Sequence, residues 1–143
     1  MFRGETQHNL DSKGRIILPA RFREILGDGF IVTRGLDKCL FVFSREEWEK
    51  IEAKVAALPL ADPDARQFSR FFVGGSADSE IDGQGRAPIP QNLRKYAGLT
   101  KEVITIGVGT RIEIWANDIL SDYRGDEDVI DDKIAMRMAD LGI

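Results

Sequence analysis

Residues 11–27 recur at residues 82–98 without a gap, and this internal repeat constrains the fold more than any other feature of the sequence. Six positions of the two segments are identical, namely Asp11/Asp82, Gly14/Gly85, Arg15/Arg86, Pro19/Pro90, Arg23/Arg94 and Gly27/Gly98. These are residue types that form turns and helix ends. The 143-residue chain is therefore predicted to contain two copies of one small unit. Copy one is residues 1–72 and copy two is residues 73–143, and the two are expected to form one compact domain.

Each repeated segment is predicted to begin with an Asp-x-x-Gly turn, which leads into a short strand and a short helix. The glycine can adopt a positive φ without steric cost, and the aspartate can accept hydrogen bonds from amides of its own turn. A proline then suits the first helical position, and a second glycine suits the helix end. The predicted strands are Ile16–Leu18 and Ala87–Ile89, and the helices run from Pro19 to Gly27 and from Pro90 to Gly98.

Further strands and helices are predicted outside the repeated segments. Four β-branched and aromatic runs predict strands, namely Phe30–Thr33, Leu40–Phe43, Val103–Ile106 and Ile112–Trp115. Capping patterns and apolar stripes predict three helices, over Ser44–Leu58, from Asp62 through Phe72, and over Ile130–Leu141. Together these elements predict a mainly β chain with inserted helices, of the α+β class.

Composition argues against several classes of protein. The apolar fraction of 43% is typical of a globular chain, and no apolar run approaches the ~20 residues that cross a bilayer. The single cysteine, Cys39, and the single histidine, His8, allow no internal disulfide and are too few for a zinc site. The N-terminal residues lack the apolar stretch of a secretory signal. A cytoplasmic protein without a metal, cofactor or small-molecule substrate is therefore expected.

Charge is distributed unevenly along the chain. The net charge is −4, but residues 1–23 hold five basic and two acidic side chains, whereas residues 117–143 hold three basic and eight acidic ones. A basic segment can attract phosphate even in an acidic chain, because the local field decides the attraction. Residues 78–98 of copy two hold three basic and three acidic side chains. The pattern therefore favours nucleic-acid contact by copy one and a scaffold role for copy two.

The two Asp-x-x-x-Arg motifs, each followed by Ile or Leu and proline, resemble those of the MraZ family. The opening Phe2-Arg3-Gly4-Glu5 and the segment Asp11-Ser-Lys-Gly-Arg15 with Leu18-Pro19 are also similar to that family, and the resemblance spans the whole chain. It implies a swapped-hairpin, double-psi-like β-barrel related to AbrB-type DNA-binding proteins. It also implies a homo-oligomeric ring, an octamer or dodecamer, on the bacterial nucleoid. The resemblance further implies that the ring binds short direct repeats of double-stranded DNA in the promoter of the division and cell-wall gene cluster, usually repressing it.

Four basic residues of copy one are the candidate DNA contacts, namely Arg15, Lys13, Arg3 and Arg21. Arg15 ranks first, because a guanidinium stays charged and can form two parallel hydrogen bonds to a phosphate or a guanine edge. Arg21 is preferred over Arg23, since the recurrence of Arg23 as Arg94 indicates a structural role. The alternative for Arg15 is an ion pair with Asp11 that only fixes the turn. A structural turn role is predicted for Asp11, Gly14, Asp82, Gly85 and Arg86.

Two other functions are compatible with the repeat. Asp11 and Asp82 occupy equivalent positions and could form the carboxylate dyad of a double-psi-barrel enzyme. An arginine four residues after each aspartate would keep both ionised, so the chain is not expected to be an enzyme. The other alternative is a structural ring that binds a protein partner without reading DNA. In any ring, a head-to-tail interface is expected to bury Phe68, Phe71 or Phe72.

Overall fold

The computed structural model describes residues 1–125 and 130–143, which contain eight strands and six helices. The strands are β1 (Phe2–Asn9), β2 (Arg15–Ile17), β3 (Gly29–Arg34), β4 (Leu40–Phe43), β5 (Ala77–Glu80), β6 (Arg86–Pro88), β7 (Glu102–Gly109) and β8 (Arg111–Ala116). The helices are α1 (Ala20–Leu26), α2 (Arg45–Ala56), α3 (Pro63–Phe72), α4 (Gln91–Ala97), α5 (Asn117–Arg124) and α6 (Asp132–Asp140).

The strands form a six-stranded sheet and a two-stranded ribbon, and each contains strands from both copies. The sheet has the order β1-β7-β8-β4-β3-β5, the ribbon pairs β2 with β6, and every pair is antiparallel. β1 of copy one pairs with β7 of copy two, and β5 of copy two pairs with β3 of copy one. The two copies thus interlock by exchanging strands, and the α+β fold predicted from two repeats is confirmed.

Two apolar cores lie on opposite faces of the six-stranded sheet, because successive side chains of a strand point to opposite faces. In β4, for example, Leu40 and Val42 join one core and Phe41 and Phe43 join the other. The first core is closed by the ribbon together with α1 and α4, and the second by α2, α3 and α5. The ribbon is therefore held against the first core by its buried side, with its other side facing outward.

The sequence did not predict β1 and β5, and the structure gives the reason. Phe2 is the one side chain of β1 that is buried, and Ser79 is the one buried residue of β5. Both strands therefore lack the apolar alternation by which a strand is recognised. They are the two edge strands of the sheet, which are stabilised mainly by backbone hydrogen bonds to one neighbour.

The predicted helices are present, with shifts of one or two residues at their ends. Ser44 caps α2 by accepting the amide of Glu47 at 3.2 Å, as its capping pattern predicts. The side chain of Asp62 caps α3 in the same way. α2 ends at Ala56, so Leu58 lies beyond the helix whose apolar stripe it was expected to extend.

Helix α6 is amphipathic but has no buried residue. The predicted stripe extends beyond it at both ends, since Ile130 precedes the helix and Leu141 follows it. Ile134 is 49% exposed and Leu141 65%. Among the described residues, no helix is long and apolar enough to cross a membrane.

Candidate nucleic-acid interface

The turn of copy one is organised by the carboxylate of Asp11. Its Oδ1 accepts the amides of Lys13 and Arg15, each at 2.9 Å, and its Oδ2 accepts Nε of Arg15 at 2.7 Å. Gly14 has a φ of 74°, a backbone conformation that favours glycine. Asp11 therefore holds both the backbone and the guanidinium of Arg15, and Lys13 is exposed at the tip of the turn.

Copy two repeats this geometry. Asp82 accepts the amides of Gln84 and Arg86 at 2.9 Å each and Nε of Arg86 at 2.8 Å. The hydrogen bond from the Arg86 amide lowers the pKa of Asp82, and the Arg15 amide lowers the pKa of Asp11, because these bonds favour the charged carboxylate. Each turn thus holds an ionised carboxylate against a guanidinium.

The two aspartates do not form a dyad that shares a proton. Arg15, which follows the first turn, pairs with Pro88 at the end of β6, and Arg86, which follows the second turn, pairs with Ile17 at the end of β2. The turns therefore lie at opposite ends of the ribbon. A shared proton also requires one raised carboxyl pKa, whereas the pKa values of both aspartates are lowered.

The ribbon places Arg15 and Arg86 on one outward face. Ile16 and Ala87, which are paired at the centre of the ribbon, are both 0% exposed and belong to the first core. Since side chains alternate, their neighbours point the other way. Arg15 lies diagonally opposite Arg86 in this register, a relation that separates Cα atoms by about 7–8 Å. Sequence reasoning did not find this shared face, because the pairing joins residues from different copies.

Because the two copies interlock, one arginine from each of the helices α1 and α4 lies beside the turn of the other copy and not beside the turn of its own copy. A Cβ built on Gly14 would lie 2.6 Å from Cζ of Arg94, and one built on Gly85 would lie 2.7 Å from Nη1 of Arg23. The guanidinium of each helix therefore lies at the turn of the other copy. Arg23 is therefore not a basic neighbour of Arg15, but Arg94 takes its place, so this exchange leaves the charge contrast between the two turns unchanged.

Arg3 and Arg21 form a separate basic pair. Nε of Arg21 donates to the carbonyl of Arg3 at 3.4 Å, and its guanidinium lies 4.8 Å from the ring centre of Phe22. Both arginines are exposed. Although Arg3 and Lys13 belong to the same basic N-terminal segment, they do not lie side by side, because Arg3 is near the start of β1 and the turn follows its end, about 20 Å further along an extended strand.

The phenylalanines expected at a subunit interface contribute to the core of the chain itself. Phe72 is 5% exposed, and its ring centre lies 5.1 Å from that of Phe68 and 5.6 Å from that of Trp48. The half-buried Phe71 contacts Tyr96 edge to face at 5.8 Å. The expectation that Phe72 serves a neighbouring subunit is wrong, because α3 directs this ring into the second core.

His8 does not lie in a metal-binding cluster. It is partly buried in β1, and this burial lowers the pKa of its imidazole. Residues 1–125 and 130–143 contain no group of three or more histidine, cysteine, aspartate or glutamate side chains arranged for a metal ion.

Comparison with known proteins agrees with the fold and with the repeated turns. The family profile described as MraZ protein matches residues 1–71 and again residues 72–136. Proteins named "Transcriptional regulator MraZ" from Acetivibrio thermocellus and Alkaliphilus metalliredigens are 55% and 56% identical to this chain. A protein of the same name from a Thermoanaerobacter species is 52% identical. Each alignment covers all 143 residues and the full length of the relative.

The fold and the site together define a class of protein in which two interlocked copies of a β unit present paired arginines on an exposed ribbon. The matched ranges span both copies and both turns. The chain belongs to the MraZ family.

Proposed function

We propose that this protein is a transcription regulator that binds double-stranded DNA through the outward face of the β2/β6 ribbon and the two flanking turns. The single observation that carries the proposal is the placement of Arg15 and Arg86 on one exposed face, each held by a carboxylate of its own turn. The names of the relatives support the regulatory part, since each is called a transcriptional regulator.

The arginines are held in a way that suits recognition of DNA. The aspartate accepts the hydrogen bond from Nε of each guanidinium, so both terminal nitrogens remain to donate two parallel bonds. Two parallel donors match the acceptor pair of a guanine edge in the major groove and also match a phosphate. An arginine that is already held in place loses little rotamer freedom on binding. The exposed Ile17 lies opposite Arg86 and two residues from Arg15 on the same face, and could contact a thymine methyl group.

Lys13, Arg3 and Arg21 are proposed to contact phosphates around this face. Lys13 is exposed at the tip of the first turn, and Gln84 takes its place in the second. Arg21 and Arg3 lie together on α1 and β1. Phosphate contacts of this kind set affinity and position, whereas contacts to base edges set sequence preference.

Family resemblance extends the proposal to the target and to the assembly. We propose binding to short direct repeats in the promoter of the division and cell-wall gene cluster, with repression as the outcome, on the nucleoid in the cytoplasm. Several copies in an octameric or dodecameric ring would engage several repeats at once, which raises avidity without new contacts. Apolar side chains that remain exposed could serve subunit contacts in such a ring, among them Leu36 at 68% and Leu60 at 84%.

A binding titration with matched DNA tests the proposal. The purified protein is titrated against a fluorescent duplex that carries three direct repeats from upstream of its own gene, and against a duplex of the same composition in shuffled order. We expect binding to the repeats at least 100-fold tighter than to shuffled DNA. Equal affinity for both duplexes would leave only electrostatic attraction. No binding to either would favour the alternative of a ring that binds a protein partner.

A further inference from the structure

We infer that Arg94 and Arg23 are positioning residues that act across the two copies: Arg94 of copy two sets the turn that carries Arg15, and Arg23 of copy one sets the turn that carries Arg86. The inference rests on the proposed DNA binding only for its affinity measurement. Its structural content concerns contacts within the chain.

The contact at the first turn has two parts. The carbonyl of Gly14 accepts the amide of Ile89 at 3.0 Å, and Nε of Arg94 donates to the carbonyl of Ile89 at 2.9 Å. Ile89 therefore connects the turn to the arginine by hydrogen bonds through its own peptide groups. The guanidinium also occupies the space that a Cβ on Gly14 would fill, with Cζ at 2.6 Å and Nε at 2.8 Å from that position. Gly14 and Arg94 thus fit together as a pair.

The second turn has the mirror arrangement with one difference. The carbonyl of Gly85 accepts the amide of Leu18 at 3.0 Å, and a Cβ on Gly85 would meet the guanidinium of Arg23 at 2.7 Å. Nε of Arg23, however, is buried and has no hydrogen-bond partner among the described residues. Nε of Arg94 is therefore anchored by a hydrogen bond in addition to the packing of its guanidinium, whereas Nε of Arg23 has no such bond among the described residues.

These contacts bear on DNA binding because they hold the backbone of the turn that carries Arg15, which is proposed to contact DNA. The guanidinium of Arg94 packs against Gly14, the residue immediately before Arg15. Without that guanidinium, the turn can move into the space it leaves, and the Asp11–Arg15 pair moves with it. Arg94 is itself half-buried, so its effect on DNA is expected to pass through Arg15.

Hydrogen–deuterium exchange measured by mass spectrometry on the full-length protein tests directly whether each arginine stabilises the turn of the other copy. The variants are Arg94→Ala and Arg23→Ala, which serve as controls for each other, and Lys95→Ala, which removes an exposed positive charge from the same helix as Arg94. We expect Arg94→Ala to raise exchange several-fold in a peptide spanning residues 10–17, with little change in one spanning 81–88. These bounds leave out the amides of Leu18 and Ile89, each of which donates to the turn of the other copy. Arg23→Ala should do the reverse, and Lys95→Ala should change neither. Faster exchange in both peptides, or in the peptide of the same copy, would overturn the inference.

DNA affinity in a double-mutant cycle separates positioning from direct contact. We expect Arg94→Ala to weaken binding to direct-repeat DNA on the order of tenfold, as for the loss of one well-placed hydrogen-bonding group. If Arg94 acts only through Arg15, the double variant should bind no more weakly than Arg15→Ala alone. Additive losses would show that Arg94 contacts DNA itself and would overturn the positioning role.

A replacement variant and an independent readout keep both experiments interpretable. If Arg94→Ala does not fold, Arg94→Gln, which keeps a shorter amide donor, replaces it in both measurements. If the wild-type protein does not bind DNA at all, the exchange pattern still decides whether the arginines act across the copies. Failure of the DNA proposal is thereby distinguished from failure of this inference.

Discussion

Replacing Arg15 or Arg86 by alanine tests the shared face of the ribbon most directly. Each change removes one outward guanidinium and leaves the aspartate to cap the amides of its own turn. The two arginine side chains are 24% and 30% exposed, so both ion pairs are partly solvated and contribute little to stability. We therefore expect both variants to melt within about 4 °C of the wild-type protein.

The expected effect on DNA binding is much larger. A bidentate arginine contact with a base edge is worth about 1–3 kcal/mol, which corresponds to about a 5- to 150-fold increase in Kd. Because Arg15 and Arg86 share one face and are held alike, we expect losses of the same order. The sequence alone predicted instead that Arg86→Ala would destabilise the fold and spare DNA binding. Arg3 and Arg21 lie together away from the first turn, which removes much of the local charge difference on which that prediction depended.

The assay is a fluorescence anisotropy titration of direct-repeat DNA at fixed salt, with Tm and light scattering measured on the same samples. Lys50→Ala is the matched control, because Lys50 forms an exposed ion pair with Glu47 on α2, which packs against the face of the sheet opposite the ribbon. We expect this control to bind DNA within about twofold of wild type.

Either of two results would refute the shared-face reasoning. If Arg86→Ala binds DNA as tightly as wild type while Arg15→Ala does not, and both have wild-type size and Tm, copy one alone reads DNA. If the control loses as much affinity as the other two variants, the losses reflect total charge and not this face.

Four other predictions follow from the same structure. Lys13→Ala should reduce the slope of log affinity against log salt by about one per subunit in contact, whereas Gln84→Ala should leave it unchanged. The lowered pKa of Asp11 contributes stability above the unfolded-state pKa near 4, so Tm should fall below about pH 4 in wild type and less in Asp11→Asn. Burial lowers the pKa of His8, so the Tm of the wild type should fall as the pH drops below about 6.5, whereas a His8→Gln variant should not show this loss. Truncation after Gly125, which removes the exposed stripe of α6, should leave Tm within a few degrees, and a smaller particle in light scattering would assign α6 to the subunit interface.

Local features of the fold could be predicted because their causes are local. The two turns follow from an aspartate that caps amides two and four residues later and from a glycine with positive φ. The starts of α2 and α3 follow from Ser44 and Asp62 in the same way. Strands rich in β-branched and aromatic residues were also predicted, since four of the eight carry that signal. The candidate residues Arg15 and Lys13 were found because the repeat singled out their turn.

The sequence by itself determined that two like units exist, where their turns and helices begin, and which side chains are apolar. The tertiary structure alone decided which copy pairs with which. Strand pairing joins residues far apart in sequence, and its free energy depends on burying both faces of a shared sheet, so no short segment encodes it. That pairing made the polar segments of β1 and β5 the edge strands of the sheet. It also placed Arg15 and Arg86 on one face of the ribbon. Arg23 and Arg94 came to lie against the turns of the opposite copies for the same reason.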